Sequence, residues 1–241
     1  MKPVGRLGLL GGTLDPFHLG HVETAKAARA ALGLDEVIVL PSRVPPHRVL
    51  QPVASRYHRF AMVALAVNGI DGLAADDMEL CAPGPSYTAD TLGRCRDRFG
   101  LTPLQLYFIT GADAFAEIAT WHRYPEVLNL AHFVVVSRPG FPAETLRERL
   151  PALADRMKTI PGPAVVAGTG SAFETSSRGA GIFLVNAPTP DVSSTEVRRR
   201  MTAGETLKGL VPASVERHIL QHGLYTHTSA SPTAVHLHGE N

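Results

Sequence analysis

The sequence has few cysteines, little net charge and no long apolar run, and each shortage excludes a class of protein. The two cysteines, Cys81 and Cys95, show no CxxC or similar metal-ligand spacing, which argues against a disulfide framework or a cysteine zinc site. No run approaches the roughly 20 apolar residues that span a membrane, and the N-terminus lacks the apolar core of a signal peptide. We therefore expect a cytoplasmic protein with two reduced, partly buried thiols and no membrane partner.

The balance of charge argues against a protein that binds nucleic acid. The formal net charge is +1, whereas proteins that bind duplex nucleic acid usually carry a strongly basic surface. Compact phosphate ligands remain compatible with this balance, because they need only a few local charges. With 241 residues and 44% hydrophobic residues, the chain is long and apolar enough to bury a core.

Short apolar runs alternate with helical segments along the chain. Strands are predicted at 4–10, 36–40, 104–110, 132–137 and 181–185. Helices are predicted at 21–32, 55–67, 88–99, 194–204 and 212–223, the first and third ended by Gly33 and Gly100. The alternation predicts an α/β fold, in which a parallel sheet is covered by helices on both faces. Ligands of such sheets bind beyond the C-terminal ends of the strands.

Two segments depart from this alternation. Residues 161–181 are rich in Gly, Ser, Ala and Pro, which predicts a flexible surface insertion. Residues 226–241 are polar and lack helical periodicity, which predicts a disordered C-terminal tail. Residues 1–225 are left as a single domain that ends in a helical segment.

The stretch "LGLLGGTLDPFHLGH" (7–21) places two glycines, a turn and two histidines at the end of the first strand. Gly11 and Gly12 are expected to let the backbone turn sharply and to let a ligand approach it. His18 and His21 have the i, i+3 spacing of neighbours on one helix face. A helix N-terminus presents unpaired N–H groups and a partial positive charge, so this stretch predicts an anion site suited to phosphate oxygens.

Other interpretations of this stretch carry less weight. Neither GxxxxGK[ST] nor GxGxxG is present, so the usual nucleotide-binding loops are excluded. A catalytic zinc usually takes three protein ligands, and the stretch offers two histidines. A bare HxxH is more often structural, but the preceding strand, glycines and Asp-Pro turn favour the anion site.

A second cluster, "DVSSTEVRRR" (191–200), follows the last predicted strand. Ser193 and Glu196 fit a capping box, which predicts another helix N-terminus at a C-terminal strand end. Arg198, about one turn into that helix, is close enough to reach the same anion. Taken alone, the segment also fits a well-capped surface helix with solvated arginines. The two clusters together favour a phosphate site.

Together, "GGTLDPFHLGH" and "VSSTEVR" resemble the two motifs of the nucleotidyltransferase superfamily. Further blocks resemble one of its families, the bacterial nicotinate-mononucleotide adenylyltransferases, and the similarity runs with gaps from about residue 5 to residue 225. These blocks are "PSRVPPHR" (41–48), "SYTADTL" (86–92), "ITGADAFAEIATWHRYPEVL" (109–128), "SRPG" (137–140) and "LVPASVERHILQHGLY" (210–225). The resemblance implies that residues 1–225 form a Rossmann-like nucleotidyltransferase domain.

The sequence departs from the family pattern in three places. Leu14 stands where the family has Phe, which changes packing and leaves the backbone of the loop intact. Phe17 stands where the family often has Pro or a small residue, and the insertion at 161–181 is longer than usual.

The resemblance also implies a reaction. ATP and nicotinate mononucleotide would give deamido-NAD and pyrophosphate, with Mg²⁺, at a late step of NAD synthesis. The acceptor 5′-phosphate would attack the α-phosphorus in line, without a covalent intermediate or a catalytic base. Mg²⁺ would be held mainly by ATP oxygens and water, so no protein metal ligand is expected.

The family motifs assign site residues to two groups. His18, His21 and Arg198 are expected to be catalytic, through contacts with the ATP phosphates. The expected ATP-binding residues are Gly11, Gly12, Thr13, His18, His21, Ser193, Ser194 and Arg198. The expected acceptor-binding residues are His47, Arg48, Tyr87, Thr88, Asp113, Trp121 and Arg138.

Several acceptor residues have a plainer interpretation. Asp113 also fits a helix N-cap, Trp121 fits core packing, and Arg138 fits a cap on a strand end. His47 and Arg48 also fit an ordinary surface turn.

Three rival functions stay open at this point. One is a related enzyme, such as a phosphopantetheine adenylyltransferase or a cytidylyltransferase, although these lack the "SYTADTL" and "GADAF…W" blocks. A second is the same reaction with nicotinamide mononucleotide as acceptor. A third is a non-catalytic nucleotide-binding module. Assembly as a homo-oligomer is also left open.

Overall fold

The computed structural model describes residues 5–46, 53–160 and 179–226. The predictions for His47 and Arg48 lie outside the described residues. So do those for 161–178 of the insertion and for the tail from residue 227 onwards.

In the described part of the chain, seven parallel strands form one sheet with the order β3-β2-β1-β4-β5-β7-β6. The strands are β1 (Leu7–Gly12), β2 (Glu36–Pro41), β3 (Leu73–Ala75), β4 (Leu106–Gly111), β5 (His132–Val136), β6 (Met157–Ile160) and β7 (Ile182–Val185). The predicted parallel α/β sheet is confirmed. The two edge strands of the sheet, β3 and β6, were not predicted from the sequence. An edge strand pairs on one side only, and these two are short and partly exposed, so neither carries a long apolar run.

The described helices are α1 (Leu19–Leu32), α2 (Arg56–Val67), α3 (Met78–Cys81), α4 (Thr88–Phe99), α5 (Ala112–Phe115), α6 (Leu146–Arg149), α7 (Ser194–Thr202) and α8 (Ala213–Gln221). The five with predicted bounds, α1, α2, α4, α7 and α8, begin and end within two residues of the predicted positions. The four-residue helices α3, α5 and α6 had no predicted bounds. Short 3₁₀ helices lie at Ile118–Thr120, Glu126–Asn129, Ala143–Thr145 and Pro151–Arg156. Gly33 and Gly100 end α1 and α4 in the left-handed conformation, with φ of 58° and 64°. Both predicted glycine caps are confirmed, because this conformation favours a residue without a Cβ.

Helices cover both faces of the sheet and bury a core on each. Leu9 of β1 packs into one core and Leu10 into the other, as the two-residue period of a strand requires. Helices α1, α2, α7 and α8 supply apolar side chains to the core that contains Leu10. Helices α4, α5 and α6 supply those of the core that contains Leu9. The inner strands are therefore almost wholly apolar.

The order of the strands fixes where a ligand can bind. From β1 the chain moves to β2 and β3 on one side, and later strands are added from β4 on the other side. The carboxyl ends of β1 and β4 therefore flank a crevice at the switch point of the sheet, the usual ligand position of this architecture. β1 ends at Gly12 and β4 ends at Gly111, so the predicted phosphate loop begins at this crevice.

The thiols differ from their predicted state in one respect. Cys95 is buried, and burial raises the pKa of its thiol to about 12. Cys81 is free and exposed, so the prediction that both thiols are partly buried is wrong for Cys81. Within the described residues, no helix is long and apolar enough to cross a membrane.

An alanine at Gly8 is expected to destabilise the protein. A Cβ at this position of β1 would lie 2.9 Å from both Leu34 Cδ1 and Val37 Cγ2, closer than carbon atoms pack. Overpacking of this kind raises the free energy of the folded state by about 1–3 kcal/mol. Urea unfolding followed by circular dichroism would measure the loss.

Gly93→Ala is the matched control for this measurement. Gly93 lies inside α4, and an added Cβ there meets no atom within 4 Å. Alanine is a better helix former than glycine, so this variant should be as stable as the wild type or more so, by up to about 1 kcal/mol. A Gly8→Ala protein as stable as Gly93→Ala would contradict the packing described for β1.

Candidate active site

His18 and His21 lie together at the N-terminus of α1. His18 is the N-cap residue, and its backbone N–H donates a 3.2 Å hydrogen bond to Nδ1 of His21. The two rings stack with their centroids 3.7 Å apart. Phe17, which is fully buried, also stacks on His21, with the ring centroids 5.2 Å apart. The prediction that both histidines share one side of a helix start is confirmed.

Both imidazoles are held in the neutral form. Burial, followed by the positive charge of Arg138, lowers the pKa of His18 to about 3. Burial, His18 and Arg138, in that order, lower the pKa of His21 well below its usual value. Nδ1 of His18 is buried and has no hydrogen-bond partner among the described residues. A buried polar atom without a partner is unfavourable, and a bound anion would favour protonation of both rings.

Gly11 and Gly12 do not form the sharp turn that the sequence predicts. They are the last two residues of β1, and they pair with Leu40 and Pro41 of β2. The left-handed residue of this loop is Leu14, with φ of 53°. The predicted turn is therefore wrong by two residues, because pairing with β2 keeps both glycines extended.

The carboxylate of Asp15 connects three distant parts of the chain. It accepts hydrogen bonds from the backbone N–H groups of Val53, at 2.8 Å, and Ala54, at 3.1 Å. It also accepts a 2.6 Å hydrogen bond from the hydroxyl of Tyr225. Burial and the negative charge of Asp15 raise the pKa of Tyr225, so its hydroxyl remains a donor. From the sequence, Asp15 was predicted only as part of a turn, because none of its partners is near in sequence.

Arg59 is a second residue that sequence analysis did not identify. Its guanidinium is almost fully buried and donates a 2.7 Å hydrogen bond to the carbonyl of Thr13. Burial lowers the pKa of Arg59, whereas the negative charge of Asp15 opposes this shift. Arg59 therefore supports the loop between β1 and α1 from inside the protein. The carbonyl of Thr13, a residue predicted to bind ATP, is therefore engaged by this side chain.

The second predicted helix N-terminus is present at α7. Oγ of Ser193, the N-cap residue, accepts a 3.1 Å hydrogen bond from the backbone N–H of Glu196. The carboxylate of Glu196 binds Arg199 and Arg200 and leaves the N-cap backbone alone. Only half of the predicted capping box is formed, since two arginines compete for the glutamate.

Helix α7 lies against the loop between β1 and α1. Oγ of Ser194 donates a 3.0 Å hydrogen bond to the carbonyl of Pro16. Nη1 of Arg198 donates a 2.6 Å hydrogen bond to the carbonyl of Asp15. The two motif clusters, more than 170 residues apart in sequence, therefore meet at one edge of the sheet.

Asp113 and Arg138 form an ion pair beside the two histidines. Nη1 of Arg138 lies 3.7 Å from Oδ2 of Asp113, and Nη2 donates to the carbonyl of Val192 at 3.3 Å. Gly111 is the N-cap residue of α5, so the alternative that Asp113 caps this helix is wrong. Arg138 reaches from the end of β5 to the segment before α7 and thus does more than cap a strand end.

A cleft of about 420 Å³ opens at the carboxyl ends of β1 and β4. Five of the residues predicted from sequence line it, namely Gly11, Gly12, Tyr87, Thr88 and Trp121. Sequence analysis did not identify its other lining residues, Ser42, Pro46, Glu79, Ser86, Phe108, Thr110, Ala114, Glu117, Thr120 and His122.

Trp121 packs against the core and also lines the cleft. Its indole packs edge-on against Phe108, with the ring centroids 5.9 Å apart, and it also contacts Phe133. The side chain is only partly buried and lines the cleft. Tyr87, at the N-terminus of α4, stacks on His122 at 4.2 Å. The cleft therefore has an aromatic wall next to a helix N-terminus.

Glu79 places a buried carboxyl group in the wall of the cleft. Thr91 Oγ1 donates a 2.7 Å hydrogen bond to Oε1 of Glu79, which is 5% exposed. Oε2 is buried and has no hydrogen-bond partner among the described residues. Burial raises the pKa of Glu79 above its usual value. No local pattern around "DDMELC" distinguishes this glutamate from a surface one, so the sequence alone did not reveal it.

Comparison with known proteins identifies the family. The family model described as "Cytidylyltransferase-like" matches residues 9–200. A "probable nicotinate-nucleotide adenylyltransferase" of Desulfatibacillum aliphaticivorans is 39% identical over 228 residues, covering 91% of this chain and 99% of the relative. Another, from Thermoanaerobacter sp. (strain X514), is 36% identical and covers 91% and 94% of the two chains.

A solved structure shows the same fold. It is the Plasmodium falciparum nicotinic acid mononucleotide adenylyltransferase complexed with NaAD, with a TM-score of 0.65 at 18% identity. The match covers 91% of this chain and 97% of the other. The resemblance carried by the sequence motifs is thus confirmed, and the chain belongs to the nicotinate-nucleotide adenylyltransferase family.

Proposed function

We infer that this protein transfers AMP from ATP to nicotinate mononucleotide, giving deamido-NAD and pyrophosphate in NAD biosynthesis. Membership of the family supports the reaction. The observation that carries it in the structure is the contact between two helix N-termini. His18 begins α1, and Arg198 of α7 is hydrogen-bonded to the loop that precedes α1. Beside them lies a cleft with the aromatic wall that a pyridine ring requires.

The chemistry needs positioning more than proton transfer. An oxygen of the acceptor 5′-phosphate attacks the α-phosphorus of ATP in line. A new P–O bond forms as the bond between the α-phosphorus and its bridging oxygen to the β-phosphate breaks. The electron pair leaves with pyrophosphate. Because the nucleophile is already an anion, the protein has to align two phosphates and neutralise the charge between them.

We propose that His18, His21 and Arg198 bind the triphosphate. The two imidazoles lie side by side at one helix N-terminus, and the guanidinium lies one turn inside another. The first-turn N–H groups of a helix have no acceptor within it, so those near Ser193 and Ser194 are suited to the β- and γ-phosphates.

We propose that the cleft binds the nicotinate ring. Trp121 offers a π face to the electron-poor ring. The N–H groups at the start of α4, at Thr88, are suited to its carboxylate, as an anion at a helix N-terminus. Asp113 is assigned to a ribose hydroxyl and Arg138 to a phosphate, while His47 and Arg48 stay predictions for the acceptor phosphate.

We propose that Mg²⁺ enters with ATP, held by phosphate oxygens and water. Magnesium requires oxygen ligands and keeps much of its hydration shell. The buried carboxylate of Asp15 is already engaged by Val53, Ala54 and Tyr225, which makes it a poor ligand. When bound, the ion neutralises part of the triphosphate charge. A cytoplasmic location and assembly as a homo-oligomer stay predictions.

The rate of pyrophosphate release with two acceptors tests this function. Purified protein, ATP and Mg²⁺ are mixed with nicotinate mononucleotide or with nicotinamide mononucleotide. We expect release to be about tenfold faster or more with the acid, because hydrogen bonds to a charged group are worth about 1.5–3 kcal/mol.

Other outcomes would separate the rival functions. Equal rates would show a dual-specific enzyme and contradict the role given to the N-terminus of α4. Without release from either acceptor the proposed reaction is wrong. Release with phosphopantetheine alone would then identify the related enzyme, and ATP binding without any release would identify a non-catalytic module.

A further inference from the structure

Three histidines cluster on the surface where α2 packs against α8. His58 belongs to α2, His218 to α8, and His222 caps the C-terminus of α8. We call these residues the three-histidine cluster. None of the three lines the cleft described above. His218 and His222 stand in the block 210–225 that resembles the family, but none of the three has a role in the proposed reaction.

The cluster has the spacing of metal ligands. His218 and His222 are four residues apart, so their rings lie on one side of α8 with centroids 4.4 Å apart. The ring of His58 lies 5.3 Å and 4.9 Å from these two rings. One ligand atom from each residue lies within 4.8 Å of the other two, and no other group of three or more such residues was found in the described ranges.

One nitrogen–nitrogen distance in the cluster is close to the distance expected between two ligands of the same ion. Nδ1 of His58 and Nε2 of His218 are 3.1 Å apart. Two nitrogens bound to one tetrahedral Zn²⁺ at about 2.0–2.1 Å lie roughly 3.3 Å apart. His222 is exposed, and its ligand atom lies within 4.8 Å of those of His58 and His218.

The donor set selects the class of ion. Three imidazoles without a carboxylate suit Zn²⁺ and similar transition metals, whereas Mg²⁺ and Ca²⁺ require oxygen ligands. A single N–H···N hydrogen bond between His58 and His218 would explain their distance, but it gives no role to His222.

We propose that the three-histidine cluster binds one Zn²⁺ ion, with water at the fourth position, and that the ion fastens α8 to α2. The two helices are already joined by a 3.0 Å hydrogen bond from Ser214 Oγ to the carbonyl of Leu65. α8 leads directly to Tyr225, whose hydroxyl binds Asp15. The ion therefore stabilises the C-terminal part of the fold, a role separate from the proposed reaction.

Calorimetric titration of Zn²⁺ into the metal-free full-length protein tests the site. The matched variants are His222→Gln, which removes one ligand, and the triple variant His227→Gln/His236→Gln/His238→Gln, which removes the tail histidines. We expect one ion per chain for the wild type and the tail variant, and an affinity at least about tenfold weaker for His222→Gln. Zn²⁺ should also raise the melting temperature of the first two proteins more than that of His222→Gln.

Three outcomes would overturn the proposal. They are unchanged binding by His222→Gln, loss of binding in the tail variant alone, and no binding by the wild type. Pyrophosphate release without added Zn²⁺ should be the same for His222→Gln and the wild type, which shows that the variant folds. His58→Gln offers a second test, because it removes the ligand that α2 contributes.

Discussion

Replacing His18 with asparagine is expected to lower kcat/KM for adenylyl transfer by about 10²–10³-fold, the usual effect of removing one donor that stabilises a developing charge. Asparagine is a good N-cap residue, so α1 should still begin at the same position. The variant therefore loses the imidazole and keeps the helix. Pyrophosphate release from ATP and nicotinate mononucleotide measures the effect.

His222→Gln is the matched control for this variant. It also removes one histidine, but from a surface outside the cleft, and its turnover should equal that of the wild type. Unchanged turnover of His18→Asn would contradict the placement of the triphosphate at the start of α1.

His18→Asn should also make the free energy of unfolding less sensitive to acid. The pKa of His18 is about 3 in the folded protein, against 6.5 for an ordinary histidine. Between these values the unfolded chain binds a proton at this position and the folded protein does not, so stability falls as the pH falls. His18→Asn removes this contribution, and urea midpoints at pH 7 and pH 5 should differ less than in the wild type. Equal differences would contradict the neutral state assigned to His18.

Replacing Arg198 with alanine is the second change with a large expected effect. The guanidinium is the cation that α7 presents next to the loop after β1, and it also donates to the carbonyl of Asp15. Its loss should lower kcat/KM by about 10²-fold or more. Arg198→Lys should fall between the alanine variant and the wild type, because lysine keeps the charge without the planar fork. The pyrophosphate assay compares all three proteins.

The matched control for Arg198→Ala lies in the same run of three arginines, "RRR" (198–200). Arg199, the next residue, pairs with Glu196 and Glu205, and its side chain is 53% exposed. Arg199→Ala removes the same charge one residue away and should leave turnover near the wild-type value. If it lowered turnover as far as Arg198→Ala does, net charge rather than position would be responsible. Melting temperatures of both variants separate lost activity from lost folding.

Local patterns predicted most of the fold. The inner strands are buried on both faces and read as continuous apolar runs, and Gly33 and Gly100 marked helix ends through their left-handed conformation. The edge strands β3 and β6 were not predicted because each pairs on one side only and is short and partly exposed. Neither therefore carries a long apolar run. The turn was placed on Gly11 and Gly12, although it falls on Leu14, because strand pairing is not visible in a glycine pattern.

Site residues that stand in short motifs were predicted from the sequence. Those that reach the site only through long-range contacts were not. His18, His21 and Arg198 stand in short motifs, so their neighbourhood followed from the sequence. Nothing local distinguishes Glu79, which is buried and accepts a hydrogen bond from Thr91 of α4, twelve residues away. Arg59 likewise gains its role from a carbonyl 46 residues away.

The hydrogen bond between Tyr225 and Asp15 has a consequence for how the protein is made. Asp15 belongs to the first loop after β1, while Arg198 and Tyr225 are among the last described residues to be synthesised. In the described residues, all seven strands precede α7 and α8 in sequence. The contacts that close this edge of the sheet therefore join the beginning of the described chain to its end. Because a domain generally folds as a unit, the anion-binding edge can be completed only after the last helix has been synthesised.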